Sequence, residues 1–346
     1  MQQEAVRAVQ RAGGSVVYDW EWDREKDEWL PYQNSPVPPW LLHRLGEDAF
    51  SNIVSVSIIL RAPDRGGVIE RIGHLDRLER LQLGGHVTNA DMIPLQRLTR
   101  LRSLTLRDSD VSDAGLVHLK GLTQLRYLNL RGSFEITGSS LSYLNGMTEL
   151  RELYLSLSAS RDADLAHLER LTSLERLHLL SRQISDAGVA HLGRLSRLTS
   201  LELKYNHLTN AGLFYLQGMQ QLNELDLSGT QVTNLEPLRG LTSLETLTLN
   251  ETPLDDKGLE PIVALHSLKF LSLSKTKVTD GSLAHLCALP NLTIVDLFET
   301  QITDAGLVHL SRLQKCRILI IQRTQMTPAG IAALKRALPK ASIVWL

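Results

Sequence analysis

The feature that most restricts this chain is a period. Leu101-Arg102-Ser103-Leu104-Thr105-Leu106 reads L-x-x-L-x-L. The same pattern begins at Leu78, Leu125, Leu150, Leu174, Leu198, Leu222, Leu244, Leu268 and Leu292. It continues with substitutions at Cys316 (Cys316, Leu319, Ile321) and weakly at Ile53 (Ile53, Val56, Ile58). Successive starts lie 22 to 25 residues apart, so twelve units run from Ile53, and a partial thirteenth strand closes at Ile343 and Trp345. Self-similarity at such a period marks a repeat array built from one supersecondary element. A length of 346 residues would otherwise suggest two or three ordinary domains, whereas an array can run this far as one. Aromatics are only 5% of the chain against 43% apolar residues, which leaves leucine to form the core.

Each unit has two halves. The first, as in Leu201-Glu202-Leu203, alternates apolar and polar, which predicts a short strand with one buried face. In the second, Val111, Ala114-Gly115-Leu116, Leu119 and Leu122 recur about every third residue, which suits a short helix or 3₁₀ turn. Ser185-Asp186, Thr279-Asp280 and Thr303-Asp304 precede these helices, and Asp113, Asp186 and Asp304 read with them as N-caps. One unit cannot bury its own leucines; stacking joins the sets into a continuous core. Twelve parallel strands at about 4.8 Å would line a concave face on the order of 55 Å long, with the helices on the convex side. Two units are irregular. The one from Leu222 is two residues short and carries Leu235-Glu236-Pro237-Leu238, which predicts a 3₁₀ segment. The one from Leu150 has Ser160 where others have Val111 or Ile184, which predicts a poorly packed outer loop.

The motif L-x-x-L-x-L-x-x-[N/T]-x-[I/V] resembles the leucine-rich-repeat signature over residues 53–346, and Thr303 to Leu307 resembles the Thr-Asp-Ala-Gly-Leu ending of bacterial repeats of about 24 residues. The resemblance implies an α/β solenoid: a right-handed superhelix with parallel strands on the concave face and short helices and 3₁₀ turns on the convex one. The family's usual Asn after the strand occurs only at Asn206; Thr230, Thr252, Thr276, Thr300 and Thr324 replace it and are expected to bond a neighbouring turn.

Residues 1–50 are expected to cap the array and residues 51–346 to form it. Glu4 to Val9 reads as a helix ending at Gly13-Gly14, Ser15 to Trp20 as a strand, and Asp23 to Glu28 as a turn. A Pro-rich link, Pro31 to Pro39, leads to a short helix at Trp40-Leu41-Leu42 and Leu45. Pro38-Pro39-Trp40-Leu41-Leu42 resembles the start of an F-box, which gives the alternative of a substrate-recognition subunit of a ubiquitin ligase. The start lacks the apolar region of a signal peptide, so the chain reads as soluble and cytoplasmic by default. A membrane tether would require an anchor ahead of Met1, as the Ala-Val…Gly-Gly segment of similar bacterial proteins implies.

The chemistry-bearing residues follow the repeat. His118, His167, His191, His285 and His309 share one phase of the unit, and neighbouring pairs without a third ligand make a poor zinc site. Cys287 and Cys316 are read as buried thiols. No P-loop, G-x-G-x-x-G, H-E-x-x-H, C-x-x-C or G-x-S-x-G motif occurs, so no enzyme, cofactor or metal is expected. A net charge of -1 argues against nucleic acid. The expected function is a non-catalytic scaffold that binds a protein or peptide, not a small-molecule substrate, through the concave positions. These include Tyr127, Arg131, Tyr154, Leu157, His178, Leu180, Lys204 and Tyr205, with Leu157 and Leu180 as an exposed apolar centre. Phe270, Ile294, Phe298, Ile318 and Ile320 form a second patch or cover the end of the core. Between them Glu202, Glu224, Asp226, Glu251, Asp296 and Glu299 would favour a partner with basic character.

Overall fold

The computed structural model describes residues 1–23, 28–29, 52–60 and 65–345. The expected turn at Asp23–Glu28 lies mostly outside these residues, and the Pro31–Pro39 link and the helix at Trp40, with its F-box-like segment, lie wholly outside them. Internal contacts divide the chain into two compact units, 1–159 and 160–346.

In the first unit, the helix Gln2–Arg11 buries Ala5, Val6 and Val9. Gly13 turns the chain with a positive φ of 78°. Gly14 lets the backbone pass so close to residues 57–58 that a Cβ there would lie 2.8 Å from the Ile58 side chain. Strand β1 (Ser15–Tyr18) then pairs antiparallel with β4 (Ile53–Ile59), Val16 opposite Val56. A two-stranded ribbon joins β2 (Trp22–Asp23) to β3 (Glu28–Trp29). From β4 the repeats take over: β5 (Arg80–Gly84), β6 (Ser103–Leu106), β7 (Tyr127–Leu130) and β8 (Glu152–Ser156) add in sequence order, all parallel.

The second unit repeats the plan. Its strands β9 (Arg176–Leu180), β10 (Ser200–Glu202), β11 (Glu224–Asp226), β12 (Thr246–Thr248), β13 (Phe270–Ser272), β14 (Ile294–Asp296), β15 (Ile318–Ile320) and β16 (Ser342–Val344) lie parallel in chain order. Register is fixed by the inward leucines: Leu177, Leu201, Leu225, Leu247, Leu271, Val295 and Leu319 pair in one row, each at most 1% exposed. A one-residue slip would turn every one of them to solvent. Each strand leads to a turn and a short helix, often an α-turn continued as 3₁₀, as in Asp186–Ala190 and His191–Arg194. The short repeat from Leu222 has only the 3₁₀ segment Glu236–Leu238, in line with the two residues it lacks. Among the described residues no helix is long and apolar enough to cross a membrane.

The Ser/Thr-Asp-Ala-Gly motif does more than cap. Ser185, Thr209, Thr279, Thr303 and Thr327 are the N-caps, each accepting a helix amide. The aspartate after Ser185, Thr279 and Thr303 reaches the next repeat instead, which corrects its reading as a cap. Asp186 accepts from the Thr209 amide (2.8 Å) and hydroxyl (2.6 Å). Asp113 does the same for Thr137, Asp162 for Ser185, Asp256 for Thr279, Asp280 for Thr303 and Asp304 for Thr327. The motif's glycine makes room for that carboxylate: a Cβ on Gly188 would lie 2.5 Å from Asp162 Oδ1, and one on Gly330 2.0 Å from Asp304 Oδ1. Burial of Asp113 would raise its pKa, but the hydrogen bonds of Thr137, Ser140 and Ser139 outweigh it and hold the carboxyl below its ordinary range.

Two other expectations are corrected. The threonines after the strands donate to their own turn, Thr230 to the Leu227 carbonyl and Thr276 to that of Leu273, three residues back. Asn206 bonds both its own turn, at Leu203 O, and the preceding repeat, at Leu179 O. Ser160 does not loosen its loop: it is buried and hydrogen-bonds the Ser181 hydroxyl and the Gln183 amide oxygen, replacing apolar packing by satisfied polar contacts.

Candidate functional site

Outward positions of the strands form one face of the sheet in each unit. Two residues past the second inward leucine, most repeats adopt left-handed φ: Asp108, Tyr205, Glu251, Lys275, Glu299 and Arg323, with Gly85, Gly132 and Gly229. This turn directs the chain off the sheet edge. Leu157 and Ser181 stand at the same phase without positive φ, and both are buried. Leu157, 3% exposed, is therefore core and no part of an exposed apolar centre. Leu180 is half-buried.

On the first unit's face, Tyr127 and Tyr154 bring their rings to 5.5 Å between centroids. Asn129 donates to the Tyr127 hydroxyl and the Tyr154 hydroxyl to Glu152, so both rings are held in place. Arg131 flanks them, half-buried, and its amide is fixed by the Asn129 side chain.

On the second unit's face, His178 and Lys204 converge on Glu202. The His178 Nδ1 and Lys204 Nζ each lie 2.5 Å from a different oxygen of this carboxylate, itself 12% exposed. Burial alone would raise the Glu202 pKa, but these two partners outweigh it and bring it down to about 2. Tyr205 sits at the rim rather than on the face, 42% exposed, with its ring over Gly229; a Cβ there would come 2.3 Å from that ring. Three members of the acidic stretch, Glu202, Glu251 and Glu299, are paired with cations from within. Glu251 pairs with Lys275 (3.0 Å) and Glu299 with Arg323 (3.4 Å), an alternating ladder along the turn column. Asp226 accepts from Ser228, and Asp296 from Ser272 and the Phe298 amide. Neutral donors leave the charge of Asp226 and Asp296 in place, so the expectation of a basic partner keeps these two residues and the exposed Glu224.

The apolar residues gather further along. Phe270, Ile294 and Ile318 are direct neighbours in one register row. Ile320 and Val344 pair in the next row. Ile318 and Val344 are 37% and 36% exposed, while Phe270, Ile294, Ile320 and Phe298 are half-buried. Arg323 stacks over the Phe298 ring at 5.4 Å. Val344 is the member that sequence reasoning missed, because the terminal strand lacks the full leucine signature that would have fixed its phase.

Groups capable of chemistry are engaged elsewhere. Among the described residues no three His, Cys, Asp or Glu side chains are placed to hold a metal. His191 bonds Glu169 at 2.6 Å. Burial pushes the Cys316 thiol up to about 11, and Cys287, only part-buried rather than buried, is also raised.

Parallel strands, short outer helices and a leucine in every inward row define a class, and the comparisons agree. Two family models, each describing a leucine-rich repeat, match residues 196–254 and 288–311. The chain is a leucine-rich-repeat protein, and each of its units is a stretch of such a solenoid. Among solved structures it is similar to an internalin (InlF) of Listeria monocytogenes, 22% identical over 88% of this chain and 92% of that one, with a TM-score of 0.65. It is also similar to a leucine-rich-repeat protein of Leptospira interrogans, 18% identical over 79% and 80% of the two chains, with a TM-score of 0.53. A third is the plant peptide hormone receptor RGFR1, solved in complex with RGF2, at 16% identity and a TM-score of 0.51; the match covers 80% of this chain and 45% of that one. No curated protein matches the chain.

Proposed function

We propose that this protein is a non-catalytic interaction scaffold that holds a protein or peptide on its strand-lined face, with residues 1–50 closing the first repeat. The observation that carries the reading is the row Phe270–Ile294–Ile318 with Ile320 and Val344 beside it. Apolar side chains offered to solvent from adjacent strands of a rigid sheet lose little entropy when covered. A contiguous exposed apolar patch marks an interaction site more often than scattered leucines do. The receptor neighbour whose structure contains a bound peptide hormone supports the same use of the fold. Tyr127 and Tyr154, locked by Asn129 and Glu152, offer a second anchor of the kind enriched at binding hot spots.

The test is selection of displayed peptides on the intact chain, followed by binding to Phe270→Asp and Ile318→Asp. The expected result is loss of binding by both with thermal stability unchanged. Full binding by both variants would refute the assignment of this face.

A further inference from the structure

Charged side chains that meet across neighbouring repeats are mostly opposite in sign. Arg97 lies 2.8 Å from Glu70, Arg126 3.2 Å from Glu149 and Lys269 2.7 Å from Glu245. One place in the first unit departs from this pattern. Arg77 and Arg100 occupy the same phase of successive repeats, each just before the first leucine of its unit. Arg102 joins them, and together with Asn52, Glu79 and Gln124 they line a cleft of about 450 Å³ where β5 and β6 begin. Among the described residues of the lining, Glu79, 3.9 Å from Arg102, is the one carboxylate against three guanidiniums. Asp19 is held by the amides of Asn52.

A fourth guanidinium stands close by. Arg80 stacks on the Trp22 ring at 4.0 Å. Burial, and after it the repulsion of Arg102, lowers the Arg80 pKa. Like charges held together in successive repeats raise the free energy of the empty fold, and an anion between them would relieve it.

We propose that this cleft binds a tetrahedral oxyanion, a phosphate group free or as a monoester. The three cations among the described lining residues are arginines, whose planar forks grip two oxygens of a phosphate at once, as a lysine cannot. The amide of Gln124 adds a neutral donor at one side. The site is separate from the apolar row and does not depend on the function proposed for it.

Thermal unfolding of the full chain tests the assignment. Inorganic phosphate and, in a parallel arm, phosphoserine are titrated against sodium chloride at matched ionic strength. The wild-type Tm should rise saturably; a rise with phosphoserine at lower concentration would identify the monoester, and one with inorganic phosphate the free ion. Arg77→Gln/Arg100→Gln should shift the midpoint of the rise by at least about tenfold in concentration. In chloride alone its Tm should equal or exceed that of the wild type, because the repulsion is gone, which also shows that it folds. Arg100→Lys, which keeps the charge and loses the fork, should respond between the two. Equal phosphate responses in wild type and double variant, no response in the wild type, or a double variant less stable in chloride would each overturn the proposal.

Discussion

Replacing Gly188 by alanine separates two accounts of the repeat motif, because they predict opposite signs. Gly188 lies inside the helix Asp186–Ala190 with ordinary helical geometry. By intrinsic propensity alone, Gly→Ala there should stabilise by about 1 kcal/mol. The structure predicts the reverse. The new Cβ would lie 2.5 Å from Asp162 Oδ1 and 2.8 Å from Ile184 Cγ2. Overpacking of this kind costs about 1–3 kcal/mol. Pushing Asp162 aside would also break its bonds to the Ser185 amide (2.8 Å) and hydroxyl (2.5 Å). Charged hydrogen bonds contribute about 1.5–3 kcal/mol when buried and less at a partly exposed site such as this. The net expectation is a loss of about 1–4 kcal/mol, read as a lower urea midpoint at unchanged slope. The Asp162→Ala background supplies the control: with the carboxylate gone, Gly188→Ala should cost little or become favourable, a coupling visible in a double-mutant cycle. A Gly188→Ala protein as stable as the wild type would refute the claim that glycine is there to admit the neighbour's aspartate.

Four further outcomes follow from the same contacts. Glu202 has its folded-state pKa depressed from 4.5 to about 2, so its contribution to stability is fully present above the unfolded value and is lost as pH falls from 4.5 through 2. Glu202→Gln should flatten the stability profile in that window, measured by urea unfolding between pH 2 and 6, and a slope unchanged by the substitution would contradict the network. Leu225→Ala, in the inward row, should cost about 2–5 kcal/mol, whereas Ile318→Ser, outward on the same sheet, should change stability by less than about 1 kcal/mol. Arg182 holds a left-handed φ of 68°, and Arg182→Gly should raise stability by about 1 kcal/mol by removing the steric cost of its Cβ. Thr230→Val should cost about 1 kcal/mol by leaving the buried Leu227 carbonyl without the threonine hydroxyl, checked by the same unfolding assay.

The period made most of the fold legible before any coordinates. L-x-x-L-x-L fixes which residues face inward, and the break to threefold spacing marks where strand gives way to helix. The two missing residues and Leu235-Glu236-Pro237-Leu238 were enough to read the 3₁₀ variant. What stayed hidden depends on contacts between repeats about two dozen residues apart. An aspartate after a threonine looks like a cap in one repeat, and its bond to the next threonine emerges only when the repeats stack. The phase of Leu157 matches that of exposed Tyr205, yet its turn lacks the left-handed residue and points it inward. Sequence shows the acidic stretch as charges without their pairings; Lys275 and Arg323 supply those of Glu251 and Glu299 from the next repeat. The outward row Phe270–Ile294–Ile318 was readable as a set, and register decided that its members touch one another.

A light-activated crosslinking analogue of phenylalanine, placed at Phe270 in one protein and at Phe214 in another, addresses the binding surface without intermediaries. Phe214 is 57% exposed and belongs to the short-helix side of its repeat, so it stands for the rival surface. With a selected peptide bound, covalent capture should occur from position 270 and not from 214. Capture from 214 alone, or equally from both, would mean that the strand-lined face is not where this protein holds its partner.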